Sequence, residues 1–101
     1  MSYRVLWSIS ALERMAEFLD FIAEENPAAA KRVIGNLRQR VGTLADQPRL
    51  GRPLSEGIDP DLRRLVVGKY VVLYRIQKTR QVIDIVGVRH SRERSLPGED
   101  T

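Results

Sequence analysis

The sequence predicts an α+β domain of β-α-α-β-β-β order, a helical hairpin packed on an antiparallel sheet. Three observations predict it. Residues 62–90, LRRLVVGKYVVLYRIQKTRQVIDIVGVRH, form three runs rich in Val, Ile, Leu and Tyr, cut by Gly68-Lys69 and by the polar tract Gln77 to Gln81. That is the pattern of consecutive antiparallel strands joined by short hairpins. Ahead of them lie two apolar stripes at three- and four-residue spacing, the mark of two amphipathic helices. At the start, Tyr3, Val5 and Trp7 alternate with Arg4 and Leu6, which reads as a first strand.

The first helix is expected over about 11–25. Leu12, Met15, Leu19 and Ile22 form its stripe, widened by Phe18 and Ala23, with Glu13, Glu17, Asp20 and Glu24 on the other side. Two serines can cap it. Ser10 has Glu13 three residues on, a capping box, whereas Ser8 pairs Trp7 with Leu12 as a hydrophobic staple; the pattern does not choose between them. Asn26-Pro27 ends this helix and starts the next, because a residue before proline avoids the helical region while asparagine caps and proline suits the first turn. The second helix is expected over about 27–45, with Val33, Ile34, Leu37, Val41 and Leu44 along one face and Lys31, Arg32, Arg38 and Arg40 outside. A helix pair of this length cannot bury its stripes alone, so the sheet supplies the other half of the core.

Gln47 to Pro60 contains Pro48, Gly51, Pro53, Gly57 and Pro60 and is read as a loop. In the middle run of the sheet Tyr70, Val72, Tyr74 and Ile76 share one face, and Val71, Leu73 and Arg75 the other, so this is a central strand. The last run changes phase: Ile83 and Ile85 fall on one side, then Val86, Val88 and His90 on the other. A bulge near Gly87 brings both sets inward. After His90 the segment Ser91 to Ser95 leads into Leu96-Pro97-Gly98 and an acidic end that frays. Residues 1–101 thus make a single domain with an ordered core over about 3–94.

With 43% hydrophobic and 30% charged residues, the composition is that of an ordinary globular protein. There is no cysteine, which excludes disulfides, Cys-ligated zinc and thiol catalysis, and the single histidine excludes a His-rich metal site. No apolar run reaches membrane-spanning length and no signal peptide is visible. A cytoplasmic protein without metal or cofactor is therefore expected. Its charge is uneven. Residues 1–60 carry eight basic and eight acidic side chains, and residues 61–101 carry nine and five, so the whole +4 sits on the strands and the tail. That suits an anionic partner.

Among catalytic residue types, His90 stands out because it ends a strand beside Arg89, Ser91 and Arg92. It reads either as a general acid or base among cations that stabilise a phosphoryl transition state, or as a strand-end residue hydrogen-bonded to backbone. Arg63, Arg64, Lys69, Arg75, Arg89, Arg92 and Arg94 either line a phosphate-binding concavity or form a solvated fringe. Tyr70 and Tyr74, two apart on one face, read as core packing in preference to base stacking.

The chain resembles the RelE/ParE superfamily of bacterial type II toxin–antitoxin toxins, on its ParE side. The resemblance rests on Tyr3-Arg4-Val5-Leu6-Trp7-Ser8 with Ala11, on Ile22 to Ala30, and on Leu50-Gly51-Arg52-Pro53. It continues through Val67 to Arg75 and Ile85 to Arg92, so it spans about residues 3–94. It implies the same fold, a cognate antitoxin of the ParD kind and growth inhibition. ParE-like members poison DNA gyrase, whereas RelE-like members are metal-independent endonucleases that cut mRNA on the ribosome. A degenerate relative that only binds antitoxin is the third reading.

Where RelE-like toxins place an arginine after the tyrosine that opens the middle strand, this chain has Val71, and the RelE tyrosine after the last strand has no counterpart. The resemblance therefore implies a gyrase-directed binding protein rather than an enzyme. A nuclease would have to draw on Arg63, Arg64, His90, Arg92 and Arg94. The target-binding fringe is expected to be Arg63, Arg64, Lys69, Arg75, Arg89, His90 and Arg92. The antitoxin groove is expected along Leu12, Met15, Leu19, Ile34, Leu37 and Val41, where an amphipathic peptide docks.

Overall fold

The computed structural model describes residues 2–54 and 59–93, in the order β1 (Arg4–Trp7), α1 (Ile9–Glu25), α2 (Pro27–Gly42), β2 (Arg52–Pro53), β3 (Leu62–Val67), β4 (Tyr70–Gln77) and β5 (Val82–His90). Ser8, not Ser10, caps α1: its hydroxyl accepts the Ala11 N–H at 3.0 Å, so the helix begins at Ile9, two residues ahead of the expected start. Asn26 serves both helices. Its own N–H donates to the Ile22 carbonyl at 2.8 Å, closing α1, and its side-chain oxygen accepts the Ala29 N–H at 3.1 Å, opening α2 with Pro27 in the first turn. Helix α2 tightens into a 3-10 turn over Thr43–Ala45.

The sheet runs β1-β5-β4-β3-β2, with the helical hairpin on one face. Strands β3 to β5 are antiparallel neighbours, as expected, and β2 joins β3 antiparallel, but β1 lies parallel to β5, pairing Arg4 with Val82 and Trp7 with Ile85. The sheet is thus mixed. A parallel neighbour needs a crossover connection, and the helical hairpin that leaves the end of β1 begins it. The fifth strand, β2, is two residues long and lies inside the stretch read as a loop. Gly68 makes the two-residue turn between β3 and β4 at φ +58°, which glycine adopts without steric cost.

The bulge falls where the phase change placed it. Leu73 pairs with Gly87 and Tyr74 with Ile85, leaving Val86 as the extra residue. Ile83, Ile85 and Val88 are all fully buried in consequence. Val86 itself is 39% exposed, so it does not join the inward set. As the unpaired residue of the bulge it is turned out of the pleat. The core lies between the helices and the inner sheet face: Met15, Leu37, Val41 and Leu44 pack on Leu65, Val72, Tyr74, Ile76, Ile83, Ile85 and Val88.

Candidate functional site

At one end of the sheet, where the β3–β4 turn and the end of β5 meet the helical hairpin, the described residues leave an open groove of about 690 Å³. Its walls are apolar: Phe18, Phe21 and Ile22 from α1, Val33 and Leu37 from α2, and Val67 and Tyr70 from the strands. Lys69, Arg92 and Glu93 form a charged rim, with His90 beside them. Tyr70 links wall to rim, with its ring 5.2 Å from Phe18 and edge-on to His90 at 5.4 Å. Burial in this stack raises the Tyr70 phenol above its usual pKa. Arg14 lies over the Phe18 ring at 4.4 Å and pairs with Glu17 and Glu93, tying the end of the described chain to α1.

His90 is engaged by the turn that follows it. Its Nδ1 accepts the Arg92 N–H at 3.1 Å, and its own N–H donates to the Glu93 carboxylate at 2.8 Å. The Ser91 N–H closes the turn on the Lys69 carbonyl at 2.7 Å. The Nδ1 hydrogen bond and the Tyr70 contact together hold the imidazole at the strand end.

The basic fringe expected from the sequence does not form one surface. Tyr70 and Tyr74 face the helices, so their cross-strand partners His90 and Arg63 share that side. These two partners sit four residues apart along β4, roughly 13 Å. Arg64 and Arg89 pair with Leu73 and Val71 and belong to the opposite side, with Arg75.

Each cation also has its own local business. Arg63 donates to the Gly51 carbonyl at 2.8 Å and the Arg49 carbonyl at 3.3 Å, clamping the loop ahead of β2. Arg75 pairs with Asp59, and its hydrogen bond, with a smaller Coulombic contribution, holds that carboxyl below its usual pKa against the opposing effect of burial. Arg89 is only 7% exposed and donates to the His90 and Ser91 carbonyls at 3.2 and 3.5 Å. Lys69 and Arg92 stand at the groove rim. Arg94 lies outside the described residues. Val71 is 4% exposed and presents no donor.

The apolar residues expected to form the groove need correcting in the same way. Met15, Leu37 and Val41 are core residues at 8%, 2% and 2% exposure, and Leu19 and Ile34 pack partly buried against them. The stripe that makes each helix amphipathic is the face the sheet covers, so it is consumed in folding. Of the six, only Leu37 reaches the groove, and Leu12, half-exposed, lies outside it. The sequence reading missed Phe21, which is 72% exposed at the groove wall. Its signal was an aromatic residue amid the acidic side of α1, where neither core packing nor solvation calls for one.

Among known sequences, the profile of the family described as ParE toxin of type II toxin-antitoxin system, parDE, matches residues 5–95. The protein Y4kP of Sinorhizobium fredii, which carries a toxin name, is 33% identical over 92 residues, covering 89% of this chain and 90% of that protein. Toxin RelE2 of Caulobacter vibrioides is 32% identical over 89 residues, covering 87% and 94%. Among solved structures, a chain from the chromosomal ParDE toxin–antitoxin system of P. aeruginosa superposes with a TM-score of 0.71. It is 19% identical and covers 88% of this chain and 96% of its own, which is likeness of fold.

Proposed function

We propose that this chain, which belongs to the ParE toxin family of type II toxin–antitoxin systems, acts by binding DNA gyrase rather than by cutting RNA, and is restrained by a cognate antitoxin seated in the groove. The chain is the toxin component of such a module. The observation that carries the binding reading is the dispersal of the groups a nuclease would use. Cleavage of a phosphodiester without metal requires an acid or base and two or more cations converging within hydrogen-bond reach of one phosphate. Here Arg63 is committed to two carbonyls, His90 has its Nδ1 filled, and Arg64 emerges from the other side of the sheet. Val71 leaves a gap where RelE-like toxins supply a further guanidinium. A binding toxin needs none of these to converge.

The antitoxin reading rests on the groove. Phe18, Phe21, Ile22 and Val33 make a concave apolar wall, and Lys69 and Arg92 stand on its rim. An amphipathic helix with an apolar stripe and acidic flanks fits such a surface. The test is a pair of assays on the purified toxin: plasmid supercoiling by gyrase, and primer extension on mRNA being translated. Supercoiling is expected to fall with added toxin while the message stays intact, and the antitoxin should restore supercoiling. Intact supercoiling with cleavage in the ribosomal A site, lost in a folded His90→Ala protein, would overturn the proposal.

A further inference from the structure

A second cavity, of about 290 Å³, opens at the β2 edge of the sheet and shares no residue with the groove. Its charged lining is Arg40 from the last turn of α2, Arg52 from β2 and Arg64 from β3. Arg52 and Arg64 are direct cross-strand partners, and Arg40 from the helix lines the same cavity. None of the described residues that line it is acidic; the rest are Leu50, Gly51, Leu65 and Val66. Three arginines brought from three elements to one concavity are suited to a single anionic group with several acceptor oxygens.

We infer that this cavity is a phosphate site for nucleic acid and, on the gyrase reading above, takes a backbone phosphate of the DNA that gyrase holds. Two features favour a nucleotide backbone over an acidic peptide. A phosphate accepts from several directions through tetrahedral oxygens, which matches forks arriving from a helix and two strands better than one planar carboxylate does. Leu50 and Val66, 37% and 56% exposed, put apolar surface beside the charge, where a sugar or base edge can rest. Gly51 is held in place behind the arginines, because its N–H donates to the Tyr74 hydroxyl at 2.8 Å and its carbonyl accepts from Arg63. The phosphate-facing strand is thus fixed to the core.

The experiment uses the full-length toxin and a fluorescently labelled DNA duplex, with anisotropy read across a salt series. Each phosphate contact contributes about 0.9 to the slope of log affinity against log salt. Arg40→Ala/Arg52→Ala should therefore lower the slope by about 0.9, weakening binding by nearly one decade at about 0.1 M salt. Lys31→Ala/Arg32→Ala removes the same charge from an exposed helix face outside the cavity and should leave the slope nearly unchanged. All four side chains are exposed, so both variants should melt with the parent protein. Equal slopes in all three proteins would overturn the inference, as would binding of a polyglutamate peptide through Arg40 and Arg52 with no binding of DNA. Gyrase inhibition is read separately. Cavity-dependent DNA binding without gyrase inhibition would defeat the gyrase reading and leave the phosphate site standing.

Discussion

Replacing Gly51 by alanine should be among the most damaging single-methyl changes in this chain. Gly51 lies just before β2, where the Tyr74 hydroxyl accepts its N–H at 2.8 Å and donates to the Pro48 carbonyl at 2.7 Å. A Cβ built on Gly51 would stand 2.7 Å from that hydroxyl and 2.8 Å from the Tyr74 ring, and would collide with the Arg64 carbonyl. Tyr74 is fully buried and Arg64 belongs to a paired strand, so neither neighbour can swing away. Overpacking of this sort costs about 1–3 kcal/mol, and a buried hydroxyl pulled off its partners adds about 1–3 kcal/mol. A loss near 3 kcal/mol is a large share of the roughly 5–15 kcal/mol that holds a domain together. For about 100 residues it corresponds to a fall of roughly 10–25 °C in melting temperature.

Thermal melts followed by circular dichroism at a helix wavelength would read this directly, with Tyr74→Phe and the double variant alongside. Tyr74→Phe removes the hydroxyl and strands the Gly51 N–H, so alone it should cost about 1–3 kcal/mol. In the double variant the methyl no longer meets the hydroxyl, so the two losses should fall short of additive by around 1 kcal/mol. A Gly51→Ala protein that melts within about 2 °C of the parent would refute the reasoning.

Three further outcomes follow from the same geometry. His90→Ala removes the edge contact to Tyr70 and the acceptor for the Arg92 N–H, and should cost about 1–2 kcal/mol; stability and toxicity should fall together, read by melting and by growth after induction. Phe21→Asp should leave the melting temperature nearly unchanged, since the ring is 72% exposed, yet weaken antitoxin capture by about 30-fold or more if it is a groove anchor; a pull-down with tagged antitoxin decides it. Asp59 has a depressed pKa in the folded state because Arg75 hydrogen-bonds to it, so its contribution is present above the ordinary value of 3.8 and is lost as pH falls through the folded value. The stability difference between the parent and Arg75→Gln should accordingly shrink below about pH 4, as acid melts would show.

How much of this was legible in the sequence depends on what each residue is spent on. The helices and the three long strands were readable because their apolar spacing is also their burial: Leu37, Val41, Val72, Ile83 and Ile85 are both the pattern and the core. Strand direction was not. Alternation along Tyr3 to Trp7 is the same whether the neighbour runs parallel or antiparallel, and that neighbour, β5, lies at the far end of the chain. Strand β2 has two residues, one of them proline, and therefore no periodic signal at all.

For the candidate surfaces the difficulty was different. Charge can be counted in a sequence, but the face to which a strand turns it depends on register. Arg63 and Arg64 are adjacent in the chain and emerge on opposite sides of the sheet. A helix stripe was read as a docking face, but folding buries Met15, Leu37 and Val41 of that stripe against the sheet. Phe21, off the stripe, was the residue that remained.

The central claim, a toxin that binds its target and does no phosphoryl chemistry itself, is tested most directly by trapping gyrase in mid-cycle. Purified toxin is added to gyrase, ATP and relaxed plasmid, the reaction is stopped with detergent and protease, and linear DNA is measured on a gel. A poison that holds the cleaved enzyme should make linear plasmid accumulate with toxin concentration, and cognate antitoxin should abolish it. Plasmid that is supercoiled normally at every toxin concentration, while the same preparation cuts ribosome-bound mRNA, would contradict the account.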